Sequence, residues 1–122
     1  MKIICCAFSA VAFWGSSLAY AAGDEQKGKQ LYAESCMACH SIDVSLAGPA
    51  HRGVFGRKAG SVADFDYSPA LKKSKVIWNE KSLDKWLTNP EKFMPGQKMG
   101  YSVSDAKARA DLIAYLKSQS RQ

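Results

Sequence analysis

Apolar side chains recur at helical spacing in three stretches of this chain. The three stripes are Gly28, Leu31 and Tyr32; Leu83, Trp86 and Leu87; and Ala108, Leu112, Tyr115 and Leu116. Spacings of three and four residues place such side chains on one face of a helix. No stretch of the sequence shows a convincing period-two alternation bounded by turns. The pattern therefore predicts an all-α domain.

Polar residues and prolines mark the ends of the predicted helices. The predicted helices are residues 23–32 with Asp24 as N-cap, a short helix after Ser68-Pro69 that reaches Lys73, a helix after Asn79 that Pro90 ends, and a last helix from Ser104 to about Ser118. Residues 41–57 and 93–101 are rich in glycine and proline and are predicted to be loops. Gly28 costs about 1 kcal/mol inside a helix, which predicts that a second helix approaches closely there.

The first 21 residues have the organisation of a secretory signal. Lys2 provides a positive start, residues 3–18 are mostly apolar, and Ala19-Tyr20-Ala21 fits the small-residue rule for cleavage. The apolar run is short for a membrane span, which needs about 20 residues, although a retained anchor is the alternative. We predict a cleaved signal over residues 1–21, one domain over residues 22–122, and export to the periplasm of a Gram-negative-type bacterium.

The net charge of the chain indicates which classes of macromolecule are poor candidates for a partner. The sequence has 17 Lys and Arg against 11 Asp and Glu, a formal net charge of +6, and loses one positive charge if Lys2 leaves with the signal. This excess is modest, and no basic cluster with interleaved aromatic residues occurs. Nucleic acid is therefore a poor candidate for a partner.

The candidate chemistry is concentrated in Cys36-Met37-Ala38-Cys39-His40. Two cysteines three residues apart, followed at once by histidine, form the c-type haem attachment signature. Each thiol can add to one vinyl group, and the adjoining imidazole can reach the iron from one face. The motif by itself also fits a disulfide, half of a zinc site or a redox dithiol. A covalent porphyrin would give this small domain a large apolar body to pack around.

Seven ordered blocks of the chain together resemble the small soluble monohaem cytochromes c of mitochondria and the bacterial periplasm. The blocks are Cys36–His40, Gly48-Pro49, Gly53–Gly60, Phe65–Ser68 with Trp78, Leu87–Pro90, Pro95–Met99 and Arg109–Lys117. The resemblance covers the chain from Gly23 onward and disfavours the zinc and dithiol alternatives. It implies the cytochrome c fold, with four to five helices and Gly/Pro-rich loops wrapped round a covalent haem. The first and last helices should cross, with Gly28 and Tyr32 against Leu112 and Tyr115.

The resemblance also implies a role for each matching site residue. Cys36 and Cys39 correspond to the thioether anchors of one haem c, and His40 and Met99 to the two iron ligands. Met94 is the rival of Met99, and its alternative is packing. The carbonyl of Pro49 corresponds to the acceptor for the second nitrogen of the histidine ligand, a bond that fixes the ring.

Four further matches concern the haem propionates. Arg57, Tyr67, Ser68 and Trp78 stand at positions that hydrogen-bond or neutralise these carboxylates in the family. A carboxylate near the interior needs a partner, and such side chains provide charge and donors.

The chain departs from the family pattern at several positions. His51 stands where the family usually has a leucine on the haem, and we expect it to be a loop residue turned outward. Trp86 replaces a tyrosine near the methionine sulfur, and Gln97 replaces a common threonine. Ser35 and Glu91 occupy two common lysine positions, which weakens any inference about the partner.

The resemblance implies an electron-transfer protein and not an enzyme, because two axial ligands leave no open iron position. The expected partners are redox proteins: a cytochrome bc1-type or dehydrogenase donor and an oxidase or reductase acceptor, as in a respiratory chain. Five lysines could steer an acidic partner: Lys58, Lys72, Lys73, Lys92 and Lys98. We expect a monomer without stable membrane insertion after cleavage. The alternative is a haem enzyme or sensor, a peroxidase or gas binder, in which Met99 is displaceable; a thioredoxin-like dithiol exchanger is disfavoured because no βαβ pattern occurs.

Overall fold

Five helices form the frame of the protein in a computed structural model that describes residues 22–121. They are α1 (Glu25–Ser35), α2 (Pro69–Lys73), α3 (Glu80–Thr88), α4 (Pro90–Phe93) and α5 (Ala106–Ser118). Among these residues, extended pairing is limited to an isolated antiparallel bridge between Lys58 and Ile77. The predicted all-α class is therefore confirmed. The predicted signal over residues 1–21 lies outside the described residues.

Side-chain caps begin the helices close to where the sequence predicts. Asp24 accepts hydrogen bonds from the backbone N–H groups of Gln26 and Lys27 at the start of α1. Asn79 and Ser82 form a reciprocal capping box at the start of α3. α1 continues three residues beyond its predicted end, so that the cysteine motif starts directly at the end of this helix.

The N-cap of α5 is Asp105, and the prediction of Ser104 is wrong by one residue. The Asp105 carboxylate accepts a hydrogen bond of 2.7 Å from the N–H of Ala108. The carbonyl of Ser104 instead accepts a hydrogen bond from the Arg109 side chain. The same guanidinium donates to Asp84 of α3 at 2.7 Å, so it ties α5 to α3.

α1 and α5 cross at Gly28, as the sequence predicts. A Cβ atom on Gly28 would lie 1.9 Å from the backbone oxygen of Asp111, so only glycine allows this approach. Tyr32 packs on Tyr115 of α5 with ring centroids 5.3 Å apart, and Leu112 is almost fully buried. The backbone N–H of Asp24 also donates to the Asp111 carboxylate at 2.6 Å, which fixes the beginning of α1 on α5.

α3 and α4 form the other wall of the core. Leu83 and Trp86 of α3 are buried, and Phe93 of α4 packs near Trp86. The sequence predicts only that Pro90 ends α3, yet this proline also occupies the first position of α4, which its fixed φ favours. Within residues 22–121, the helices are all too short or too polar to cross a membrane.

Candidate functional site

A cavity of about 940 Å³ lies between the helices and the glycine-rich loops. The structure brings all nine predicted site residues to its walls: Cys36, Cys39, His40, Pro49, Arg57, Tyr67, Ser68, Trp78 and Met99. Most of the remaining lining is apolar and includes Leu83, Trp86, Leu112 and Leu116. A cavity of this size and character is within the usual range for cofactor sites, about 300–1,000 Å³.

The cysteine motif forms a tight turn at the end of α1. The backbone N–H groups of Cys39 and His40 both donate to the carbonyl of Cys36, at 3.1 and 2.9 Å. Both thiols are free, and Cys36 is half-buried while Cys39 is exposed. Burial raises the pKa of the Cys36 thiol to about 11, and the neighbouring Cys39 adds to the shift. The turn therefore presents two free thiols at one edge of the cavity.

His40 is held in a defined orientation at the cavity wall. Its Nδ1 lies 2.8 Å from the carbonyl oxygen of Pro49, which leaves Nε2 available as a ligand. Burial lowers the pKa of His40, although the Pro49 hydrogen bond opposes the shift; the shift favours the neutral imidazole that metal binding requires. Gly48 lies against this ring. A Cβ atom at this position would come within 2.2 Å of Cε1 of His40, so a larger residue would displace the ring.

His51 is turned inward, and the prediction that it points outward is wrong. Its ring stacks on His40 with centroids 4.1 Å apart and an interplanar angle of 20°. Its Nδ1 lies 2.9 Å from the hydroxyl of Tyr32. Burial lowers the pKa of His51 to about 3, and His40 and Arg57 add repulsion. No local sequence signal predicts this orientation, because the contact with Tyr32 spans 19 positions.

The four residues predicted for the propionates all line the cavity. Arg57 donates to the carbonyls of Arg52 and Ala50 at 2.8 and 2.9 Å, and burial lowers the pKa of its guanidinium. The Tyr67 hydroxyl accepts a bond of 3.3 Å from the N–H of Val62. The half-buried guanidinium and the phenol hydroxyl provide the positive charge and the hydrogen-bond donors that a carboxylate near the interior needs.

The remaining two of these residues combine structural and lining roles. Ser68 caps α2 by accepting a hydrogen bond of 3.3 Å from the N–H of Leu71. Trp78 is buried and packs on Trp86 with ring centroids 5.4 Å apart. The serine hydroxyl is therefore already engaged by the backbone, whereas the tryptophan forms part of an aromatic wall.

The methionines occupy three different environments. Met99 is half-buried and lines the cavity. Met94 is buried in the core cluster and is not among the lining residues. Met37 is 56% exposed and does not line the cavity. The cavity thus offers Met99 as its thioether, together with the two thiols and the imidazoles of His40 and His51. His40 is the histidine that adjoins the thiols in the motif.

The mouth of the cavity carries a mixed set of charges and two apolar side chains that the sequence analysis missed. Leu46 and Tyr101 line it and are 53% and 45% exposed. Lys98, Asp64 and Asp66 also line it. Lys72, one of the five predicted steering lysines, pairs with Asp66 at 2.6 Å. An exposed apolar residue in a loop has no periodicity, so the sequence provides no signal for this arrangement.

The donor set of the cavity fits a covalently bound porphyrin. Two free thiols, an imidazole with one free nitrogen, a thioether and a half-buried guanidinium surround a mainly apolar space. Thiols can form the covalent links, and imidazole and thioether are ligands of haem iron. No group of three or more His, Cys, Asp or Glu residues suited to a metal ion occurs in the described part of the chain.

Comparison with known proteins gives a consistent result. The family model for cytochrome c matches residues 25–120. The chain is similar to cytochrome c 2.1 of Caenorhabditis elegans, with 43% identity over 81% of this chain and 92% of the relative. It is 41% identical to cytochrome c2 of Rhodomicrobium vannielii over the whole of both chains.

A solved structure supports the same assignment. Cytochrome cH from Methylobacterium extorquens superposes with a TM-score of 0.75 and 44% identity, covering 79% of this chain and 99% of that one. The cysteine pair that holds haem c covalently is present as Cys36 and Cys39. The chain therefore belongs to the cytochrome c family, and it is an electron-transfer protein with a covalently bound haem c.

Proposed function

We propose that this protein carries one electron at a time with His40 and Met99 as the two axial ligands of its haem iron. One observation carries the proposal: His40 and Met99 both line the cavity that the two thiols border, whereas Met94 packs away from it. The haem supplies the one-electron couple. Thioether ligation favours the reduced state and raises the reduction potential.

The other residues of the site prepare it for electron transfer and not for a reaction on a substrate. Pro49 holds the His40 ring, and apolar side chains such as Leu83 and Leu112 exclude water from the cavity. Arg57, Tyr67, Ser68 and Trp78, which line the cavity, would hydrogen-bond or neutralise the haem propionates. With both axial positions filled by the chain, no position is left for a reactant.

The proposed location is the periplasm, after cleavage of a signal over residues 1–21. The similarity to bacterial cytochromes c2 and cH supports this location. The proposed partners are a cytochrome bc1-type or dehydrogenase donor and an oxidase or reductase acceptor in a respiratory chain. The protein would shuttle between them as a monomer, with domain boundaries at residues 22 and 122.

Redox-monitored visible spectroscopy of the purified mature protein tests the ligand assignment. The oxidised protein should show the weak sulfur-to-iron absorption band at neutral pH, and carbon monoxide should bind the reduced protein slowly. A missing band with fast cyanide or carbon monoxide binding would instead favour a haem enzyme or sensor with displaceable Met99. Met94→Ala is the matched control for the loss of Met99. It removes a thioether of the same chemistry from outside the cavity and should keep the absorption band.

Mass spectrometry tests the processing and the attachment together. The expected species begins at Ala22 and carries the added mass of one haem, and it should be recovered in the periplasmic fraction. A species that retains residues 1–21 in the membrane fraction would support the anchor alternative.

A further inference from the structure

Glu91 connects α4 to the loop that carries Met99. Its Oε1 accepts a hydrogen bond of 3.1 Å from the backbone N–H of Gly96. Its Oε2 accepts one of 3.2 Å from the side-chain amide of Gln97. A single carboxylate thus holds the loop at two points, and hydrogen bonds to a charged acceptor are stronger than neutral ones.

Gln97 extends this restraint to Met99 itself. Its amide oxygen accepts a hydrogen bond from the backbone N–H of Met99, while its amide nitrogen donates to Glu91. Its own backbone N–H donates to the carbonyl of Met94 at 3.2 Å. The side chain of Gln97 therefore bridges the carboxylate and the methionine backbone, and we call this pair the Glu91–Gln97 brace.

α4 gives the brace a fixed base. Phe93 packs against Trp78 and Trp86 with ring centroids 6.3 and 6.5 Å apart, and Met94 is buried. Asn89 caps this short helix by accepting a hydrogen bond of 2.9 Å from the N–H of Lys92. Aromatic packing and this cap thus tie the helix that carries Glu91 to the core.

The loop has little else to hold it on the other side of Met99. Residues 100–102 are exposed, and a Cβ on Gly100 would meet no atom within 4 Å. In the described part of the chain, the next backbone hydrogen bond after Met99 joins the N–H of Val103 to the carbonyl of Leu87 at 2.7 Å. The brace is therefore the polar restraint nearest to the methionine.

We propose that Glu91 and Gln97 are positioning residues that hold the Met99 thioether in the cavity and slow its release. The two residues that form the brace are both departures from the family pattern. A lysine at position 91 could not accept the Gly96 N–H, so the charge change has a structural use. This inference rests on the proposed axial ligation by Met99.

Imidazole binding to the oxidised holoprotein at pH 7 measures the release directly. Imidazole can occupy the iron only after the thioether leaves, so the limiting rate at saturating imidazole reports loop opening. Stopped-flow loss of the sulfur-to-iron band gives this rate. Glu91→Ala removes two exposed hydrogen bonds. At about 0.5 kcal/mol each, the lower end for a hydrogen bond, their loss corresponds to roughly a fivefold change, so this variant should raise the limiting rate about fivefold. Gln97→Ala should do the same.

The double variant and two control variants distinguish a positioning role of Glu91 and Gln97 from a general loosening of the Met99 loop. Glu91→Ala with Gln97→Ala should be no more than about twofold faster than either single variant, because both act through one restraint. Glu91→Gln keeps an acceptor oxygen and should give an intermediate rate. Glu80→Ala removes an exposed acidic residue from the first turn of α3 and should leave the rate within about twofold of the parent.

Each result decides a separate question. An intact band with unchanged limiting rates in Glu91→Ala and Gln97→Ala overturns the brace and leaves the electron-carrier proposal standing. An equal increase in Glu80→Ala also overturns it, because the effect would then be loss of charge alone. If the parent protein has no band, or binds imidazole rapidly without saturation, Met99 is not the resident ligand and both proposals fail.

Discussion

Tyr32 and His51 form a polar pair beside His40, in which Tyr32 is buried and His51 half-buried, and the replacement of either residue alone should destabilise the protein. Tyr32 is 3% exposed, and its hydroxyl lies 2.9 Å from His51 Nδ1. His51→Leu introduces the residue that the family usually has but leaves the Tyr32 hydroxyl without its partner. Tyr32→Phe leaves His51 Nδ1 without its hydrogen-bond partner. An unsatisfied buried polar group costs about 1–3 kcal/mol.

The double variant should recover most of this loss. With Tyr32→Phe and His51→Leu together, both polar groups are gone and two apolar side chains meet, which is close to neutral when the shapes are similar. We therefore expect a favourable coupling free energy of about 1–2 kcal/mol between the two residues. The pair lies between α1 and the His40 ring, so this coupling measures a contact that joins the helix crossing to the iron ligand.

Guanidinium unfolding of the oxidised holoprotein, followed by far-ultraviolet circular dichroism, gives the four free energies of the cycle. His51 of the unfolded chain can bind the iron and stabilise that state. This contribution is the same in the parent and in Tyr32→Phe, so it cancels from the coupling. A double variant whose loss equals the sum of the two single losses would refute the reasoning, because the hydrogen bond would then contribute nothing.

The remaining predictions concern the ligand, the helix crossing and the response to acid. Met99→Ala should lower the reduction potential and open the iron to added cyanide. An unchanged potential would indicate that Met94 is the ligand instead. Gly28→Ala should lower the free energy of unfolding by about 2 kcal/mol, because a clash with the Asp111 backbone lies at the upper end of the roughly 1–3 kcal/mol that overpacking costs and the gain in helix propensity offsets about 1 kcal/mol; an unchanged melting temperature would contradict this close approach. Burial alone would raise the pKa of Asp111, but hydrogen bonds from Lys107 and one backbone N–H hold it below its ordinary value. The carboxylate therefore stabilises the fold fully above about pH 4 and loses this effect as the pH falls through the lower folded value, so Asp111→Asn should flatten the acid limb of the stability curve.

The starts of the helices could be predicted from the sequence because the interactions that create them are local. Asp24, Ser68 and Asn79 each accept a hydrogen bond from an N–H two or three residues ahead, and such a bond depends only on the neighbouring residues. The error of one residue at Asp105 has the same origin. Ser104 and Asp105 are both good caps, and the choice between them depends on Arg109, which reaches α3.

The attachment motif and the nine site residues were also accessible from the sequence. Cys36, Cys39 and His40 lie within five consecutive residues, so their spacing predicts haem attachment, and the other blocks of the resemblance disfavour the zinc and dithiol alternatives. Met99 and Arg57 were assigned through the order of blocks along the chain, and the structure brings them to the cavity that the motif borders. Their roles toward the haem stay proposals until the spectroscopy and the variants are measured.

The tertiary structure decided the contacts that join distant segments. His51 is turned inward because the Tyr32 hydroxyl and the His40 ring provide a buried place for its imidazole. Glu91 and Gln97 act on Met99 because α4 and the following loop fold back on each other. Hydrophobic periodicity and capping rules describe neighbours along the chain, whereas the position of a polar side chain in a loop is determined by whichever partner the fold brings within hydrogen-bond distance. The sequence by itself thus determined four of the five helices in the described part of the chain and the attachment motif, whereas the fold alone determined how the two ligand loops are held.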